Sequence, residues 1–259
     1  LKQLFGTERN VMVLTASATA LMEAGVRNGV RRGLLSLVNG AFSERFAVIA
    51  RDCDVAVDTL EVPWGQVIDP DDVRERLRRG DFDAVSVVHS ETSTGALNPI
   101  GEIADAGREF PGVRLLVDSV TGVGGAPMRA DDWGLDLALT GSQKALAMPP
   151  GMAFGVASEA LLERAVALGG RGYYLDFERL YRHLEKGQVP TTPAITLMYA
   201  AAAQLARISE EGLEARFERH EAMAERCRSW VGEVVERHGI ELCVQAVEGH
   251  RSPTVTCVA

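Results

Sequence analysis

Asp118 and Lys144 are the two residues of this chain whose types and settings could do chemistry together. Asp118 closes the largely apolar run 113–117, and Lys144, one of only three lysines, follows the run 135–139 in Gly141-Ser142-Gln143-Lys144-Ala145-Leu146. A carboxylate at the end of a buried strand is costly without a partner. A lysine among small and apolar residues reads as a buried, nucleophilic amine. Such an amine can form a Schiff base with an aldehyde, and such an acid can hold a ring nitrogen protonated so that the ring accepts electrons. The same two residues read equally as an internal salt bridge.

Three further segments fall at predicted strand ends, where open parallel sheets place their ligands. Thr15-Ala16-Ser17-Ala18-Thr19 lies between a strand and a helix, and its small and hydroxyl residues suit a phosphate held at a helix N-terminus. Ser17 or Thr19 also suits a plain helix cap. In Asn39-Gly40-Ala41-Phe42-Ser43-Glu44-Arg45 the Phe42 ring is placed either to stack on a planar ligand or to fill core. His89-Ser90-Glu91-Thr92-Ser93-Thr94-Gly95 gathers four hydroxyls around an acid, a loop suited to a ligand oxygen or to a turn before the next helix. His89 alone reads as structural.

The elements that must position these segments alternate β-branched runs with amphipathic helical spacing, which predicts an α/β fold with a mainly parallel sheet flanked by helices. Strands are expected at 11–14, 34–38, 55–62, 84–89, 114–118 and 135–139, with 153–156 as an edge strand. Helices are expected at 19–32, at 42–52, and from Asp69-Pro70 to Gly80, where the aspartate caps and the proline takes the first helical position. From 193 to 238 the pattern is helical almost throughout, and 241–244 and 254–258 return to strand character. The organisation this suggests is a large α/β domain over 1–200 and the start of a smaller α+β domain over 201–259. Residues 1–5 read as the tail of a helix and 255–259 stop within a strand, so residues are expected to be missing at both ends.

The formal net charge of −9 argues against nucleic acid and anionic membranes as partners. The four cysteines show no CxxC pair and no histidine at metal spacing, so no metal is expected and buried, reduced thiols are. No signal peptide or long apolar span is present, and the chain reads as soluble and cytoplasmic. Gly122, Gly124 and Gly125 lack the spacing of a nicotinamide-binding fingerprint.

The strings SATALMEA (17–24), NGAFSER (39–45), HSETSTG (89–95), VDSVTGVGG (117–125) and GSQKALAMPPG (141–151) resemble the class V aminotransferases of pyridoxal 5'-phosphate (PLP) fold type I, in the alanine–glyoxylate and serine–pyruvate branch. The resemblance runs along essentially the whole chain. It implies that Lys144 is the Schiff-base lysine and Asp118 the partner of the pyridine nitrogen. Ser17, Ala18, Thr19 and Gln143 would bind the phosphate, Thr92 the phenolic oxygen, and Phe42 would stack on the ring, where many relatives carry tryptophan. Thr191, in Gln188-Val189-Pro190-Thr191-Thr192-Pro193, matches a residue that reaches the phosphate of a neighbouring subunit, which implies a homodimer with shared active sites. A small amino acid and a small 2-oxo acid are the implied substrates.

Departures from the pattern are Ala18 where relatives often carry glycine and Gln188 where some carry tyrosine. The arginine that grips the substrate carboxylate belongs to a lobe beyond Ala259, and no residue here matches it. A non-catalytic PLP-binding relative and a cysteine desulfurase-like enzyme are the alternatives. The second typically has histidine before the lysine and over the ring, where this chain has Gln143 and Phe42.

Overall fold

The computed structural model describes all residues 1–259. Seven strands form one sheet in the order β1-β9-β8-β7-β4-β2-β3. They are β1 (Met12–Leu14), β2 (Gly33–Val38), β3 (Ala56–Glu61), β4 (Ala84–Val88), β7 (Arg114–Asp118), β8 (Leu137–Gly141) and β9 (Ala153–Ala157). A separate hairpin joins β5 (Ser90–Glu91) and β6 (Ala96–Leu97). The pairs β2–β3, β2–β4, β4–β7 and β7–β8 are parallel, while β9 runs antiparallel to both β8 and β1. This is the mainly parallel sheet the sequence predicts, with one correction. β9 lies inside the sheet, and β1, too short to signal its place, takes the edge.

Why these runs make strands is plain from their burial. β4, β8 and β9 are buried at every residue, as expected where helices cover both faces. On one face Phe46, Leu161 and Phe177 pack from α3 (Ala41–Asp52), α6 (Glu159–Leu168) and α7 (Phe177–Leu184), beside α2 (Ala18–Gly29). On the other, Val73, Ile103 and Ile208 pack from α4 (Pro70–Arg79), α5 (Ile100–Arg108) and α8 (Ile195–Glu211), with Phe5 of the short α1 (Lys2–Phe5). Asp69 caps α4 through the Asp71 amide at 2.8 Å, with Pro70 at the first position.

The helical run expected over 193–238 breaks at Gly212, whose φ of 81° lies in the left-handed region that glycine favours. Beyond it α9 (Leu213–His238) begins. Most of α9 is exposed, but Arg216 is buried and ties the helix to the sheet. Its guanidinium donates to the Gly124 carbonyl at 2.7 Å and to the Ala145 carbonyl at 2.5 Å, and pairs with Glu211 at 2.7 Å.

Residues 241–244 and 254–258 do not become regular strands. They meet through a bridge between Val244 and Val258, because the chain between them turns away to bind the β5–β6 hairpin. There the Leu97 amide donates to the His250 carbonyl and the Ser252 amide to the Gly95 carbonyl, each at 2.8 Å. The cysteines are all free. Cys227 and Cys243 are exposed rather than buried as expected, Cys227 on α9 beside an open groove and Cys243 in the coil after the helix. No helix is long and apolar enough to cross a membrane.

Replacing Arg216 with Met removes three charge-assisted contacts and leaves two carbonyls without their donor. The expected loss is about 2–3 kcal/mol, measured by chemical denaturation, with faster amide exchange in α9 and unchanged protection in β4 and β8.

Candidate active site

The sheet topology sends β1, β2, β4, β7 and β8 to the same edge, so the segments that follow them meet there. Between them lies a cleft of about 150 Å³ lined by Ser17, Ala18, Thr19, Phe42, Thr92, Asp118, Gln143 and Lys144. Eight of the nine residues singled out from the sequence are therefore brought together.

The exception is Thr191. It lines a different groove, with Thr15, Tyr174 and Pro193, and the Thr15 hydroxyl oxygen accepts from the Ala194 amide there at 2.9 Å.

Asp118 is the buried carboxylate of the cleft, 3% exposed at the end of the middle strand of the sheet. Its Oδ1 accepts from the Val120 amide at 2.8 Å, and it has no ion-pair partner. The salt bridge with Lys144 that the sequence left open does not form. Burial pushes the Asp118 carboxyl up from 3.8 to about 6. The Val120 hydrogen bond opposes this, Glu91 adds to it by repulsion, and Arg45 and Lys144 pull it back by attraction. Such a group is served by a ligand that brings both a donor and a positive charge.

Lys144 corrects an expectation. It is exposed, not buried, because its turn projects from the sheet edge. The turn is nevertheless well held. Ser142 is fully buried, donates through Oγ to the Pro149 carbonyl at 2.8 Å, and exchanges backbone bonds with Met148 and Met152, each at 3.0 Å. Ala147 completes the turn at a φ of 52°.

Ser17 stands at the N-cap of α2, but its side chain makes no capping bond. The plain-cap reading therefore fails for Ser17, and first-turn N–H groups that lack an intrahelical partner are left for an anion. Gln143 and Thr19 are exposed at the same rim.

Phe42 is half-buried, with the Arg45 guanidinium 4.7 Å from its ring centre. Its place is set by Glu91, which is fully buried and reaches across from β5. The carboxylate accepts from the amides of Phe42 at 3.3 Å and Ser43 at 2.9 Å, and from Ser93 Oγ at 2.6 Å. An acid at a helix N-terminus is favoured by the helix dipole as well as by these bonds. Gly40 lies so close that a Cβ there would collide with Glu91 and Ser93.

His89 is structural. Its Nδ1 lies 2.9 Å from Ser119 Oγ, its ring meets Trp133 edge-on at 6.2 Å, and burial pushes its pKa down to about 4.

A family model described as aminotransferase class-V matches residues 38–259. The chain belongs to that family. Among curated relatives, an uncharacterized aminotransferase of Methanocaldococcus jannaschii is 40% identical over 263 residues, covering 99% of this chain and 66% of that one. A serine–glyoxylate aminotransferase of Methylorubrum extorquens is 33% identical over 270 residues, covering 99% and 66%. In fold, the chain is similar to the crystal structure of an alanine–glyoxylate aminotransferase from Nostoc sp., with a TM-score of 0.90 at 33% identity over 100% of this chain and 68% of that one. The chain thus spans about two thirds of the length of the curated relatives it matches.

Class V aminotransferases use PLP, and the cleft fits that group. Its lining supplies a buried carboxylate without an ion-pair partner, a helix N-terminus without a side-chain cap, and a lysine at the mouth. No three His, Cys, Asp or Glu side chains are grouped to hold a metal ion.

Sequence reasoning gave no role to Arg45, Thr121 or Arg216. The first two lie inside quoted motifs, NGAFSER and VDSVTGVGG, which was the available signal. Arg216 lies in an ordinary-looking charged helix and offered none.

The Asp118 carboxyl gives a signed prediction for the cofactor-free chain. Its folded pKa is above the unfolded one, so its proton is kept on folding and stability falls as pH rises from about 4 to about 6. Asp118→Asn removes that cost while keeping an acceptor for Val120. The variant is more stable than wild type at pH 7 by about 3 kcal/mol and equally stable below pH 4. Its PLP affinity falls.

Proposed function

We propose that this chain is the cofactor-binding part of a PLP-dependent aminotransferase, moving an amino group from a small L-amino acid, alanine or serine, to a small 2-oxo acid, glyoxylate or pyruvate. The observation that carries the reading is the convergence of Asp118, Lys144, Phe42, Thr92, Gln143 and the α2 N-terminus on one cleft. The donors and acceptors follow relatives named as serine–glyoxylate and alanine–glyoxylate aminotransferases.

When bound, PLP supplies an aldehyde that takes up and hands on an amino group, and a ring that delocalises an electron pair. Asp118 would pair with the protonated ring nitrogen. Ser17, the Ala18 and Thr19 amides and Gln143 would hold the phosphate, Phe42 would cover one ring face, and Thr92 would bind the phenolic oxygen. Lys144 would hold the cofactor covalently, release it to the incoming amine, and then move the proton at the substrate Cα as general base and acid. Its exposed amine and firmly held turn suit a group that must swing between these tasks.

We further propose a homodimer in which Thr191 serves the neighbouring subunit's phosphate, consistent with its place outside its own chain's cleft. Residues 1–200 form the cofactor-binding unit and 201–259 the start of a smaller one. A cytoplasmic location is part of the same proposal.

The test is the near-visible spectrum of the purified chain with PLP, before and after L-alanine or L-serine, beside Lys144→Ala. Wild type is expected to form a lysine-dependent band that an amino acid bleaches, and the variant to lack that band. An unchanged spectrum in the variant refutes Lys144. A wild-type band that ignores every amino acid supports a binding-only protein instead.

A further inference from the structure

A closed set of hydroxyl contacts lies behind Thr92, and its proton directions follow from geometry. Thr254 Oγ1 donates to the Thr121 carbonyl at 2.7 Å, and a carbonyl can only accept. With its proton so placed, Thr254 must accept from Ser252 Oγ at 3.0 Å, and Ser252 must in turn accept from Ser90 Oγ at 2.7 Å. Thr121 Oγ1 donates to the Ser90 carbonyl at 2.8 Å, which closes the circuit. Ser90, Thr121 and Ser252 are buried, so water does not scramble this order.

One contact remains. Thr92 Oγ1 lies 3.3 Å from Thr121 Oγ1. Because the Thr121 proton is already committed, Thr121 can only accept there, and Thr92 must donate. At 3.3 Å this is the longest and weakest hydroxyl–hydroxyl link in the set. Thr92 also lines the cleft, so with a ligand bound there its single proton would have two destinations.

We propose that Thr121 is a positioning residue whose hydroxyl, its own proton committed to the Ser90 carbonyl, competes with the bound cofactor for the Thr92 proton. It thereby sets how strongly Thr92 donates to the cofactor's phenolic oxygen. The inference rests on the reading of the cleft as a PLP site. The charged or titratable groups around the two hydroxyls are Asp118, Glu91, Arg45 and Lys144 on the cleft side, with His220, Cys227 and Cys257 on the other. None of them hydrogen-bonds either hydroxyl; Cys257 bonds only the Thr92 carbonyl.

A donor to the phenolic oxygen stabilises its negative charge and weakens the hold of that charge on the proton of the lysine-linked nitrogen. The pH midpoint of the lysine-dependent absorbance band reads this directly. In the PLP-loaded chain, Thr92→Val loses the donor and raises the midpoint. Thr121→Val leaves the Thr92 proton to the cofactor alone and lowers it. Each shift is expected at about half to one pH unit, the worth of one neutral hydrogen bond. Thr121→Ser restores the wild-type value, and Thr121→Ala repeats the lowered one if valine packs badly.

Opposite shifts with serine rescue support the competition. Shifts of the same sign, or a midpoint unmoved in both Thr121→Val and Thr121→Ala, overturn it while leaving the cofactor assignment intact. If wild type itself shows no lysine-dependent band, the cofactor assignment fails and the inference falls with it.

Discussion

A carboxylate buried at the end of the middle strand is the constraint around which the rest of this structure is arranged. Asp118 has one backbone donor and no cation of its own, and burial holds its proton to about pH 6. Removing it from water without an ion pair costs free energy that the surrounding core must offset. A ligand with a protonated ring nitrogen supplies the missing donor and charge together. On the proposed reading of the cleft, a residue unfavourable in the free chain would give the bound state its grip.

Around that fixed point the chain combines a rigid floor with an open rim. The floor is β4, β7 and β8, buried throughout or nearly so. The rim is made of exposed residues, Ser17, Thr19, Gln143 and Lys144. What keeps the rim in place is a small number of buried polar anchors. Glu91 holds the first turn of α3 and so the Phe42 ring, Ser142 closes the lysine turn, and Arg216 braces that turn and the Gly124 loop from α9. Glu91 and Arg216 join segments distant in sequence, while Ser142 works within its own turn, so the cleft's shape depends on tertiary structure as well as on a single loop.

That division explains what could be read from the residues alone. Buried parallel strands and a capped helix carry local signals, so β4, β7 and α4 appear where composition and spacing place them, and β8 only two residues later, at 137–141 instead of 135–139. The short edge strand β1 and the paired segments at 241–244 and 254–258 carry weak ones, and there the reading misplaced an edge and overstated two strands. Among site residues, the strand-end motifs brought eight of the nine side chains to one cleft, because each follows a strand whose end is predictable. Burial of Lys144 was misjudged because small and apolar neighbours resemble a core sequence, while the turn that carries them points outward. Arg216 was invisible because the contacts that tie it to the site are with backbone carbonyls, which leave no mark in sequence.

Borohydride reduction of the PLP-loaded chain followed by peptide mass mapping tests the central claim most directly, since it fixes the cofactor to whichever lysine holds it. The chain offers only Lys2, Lys144 and Lys186. The account predicts that the added mass appears on the peptide containing Lys144. Label on Lys2 or Lys186 in its place, or on no lysine, would contradict it.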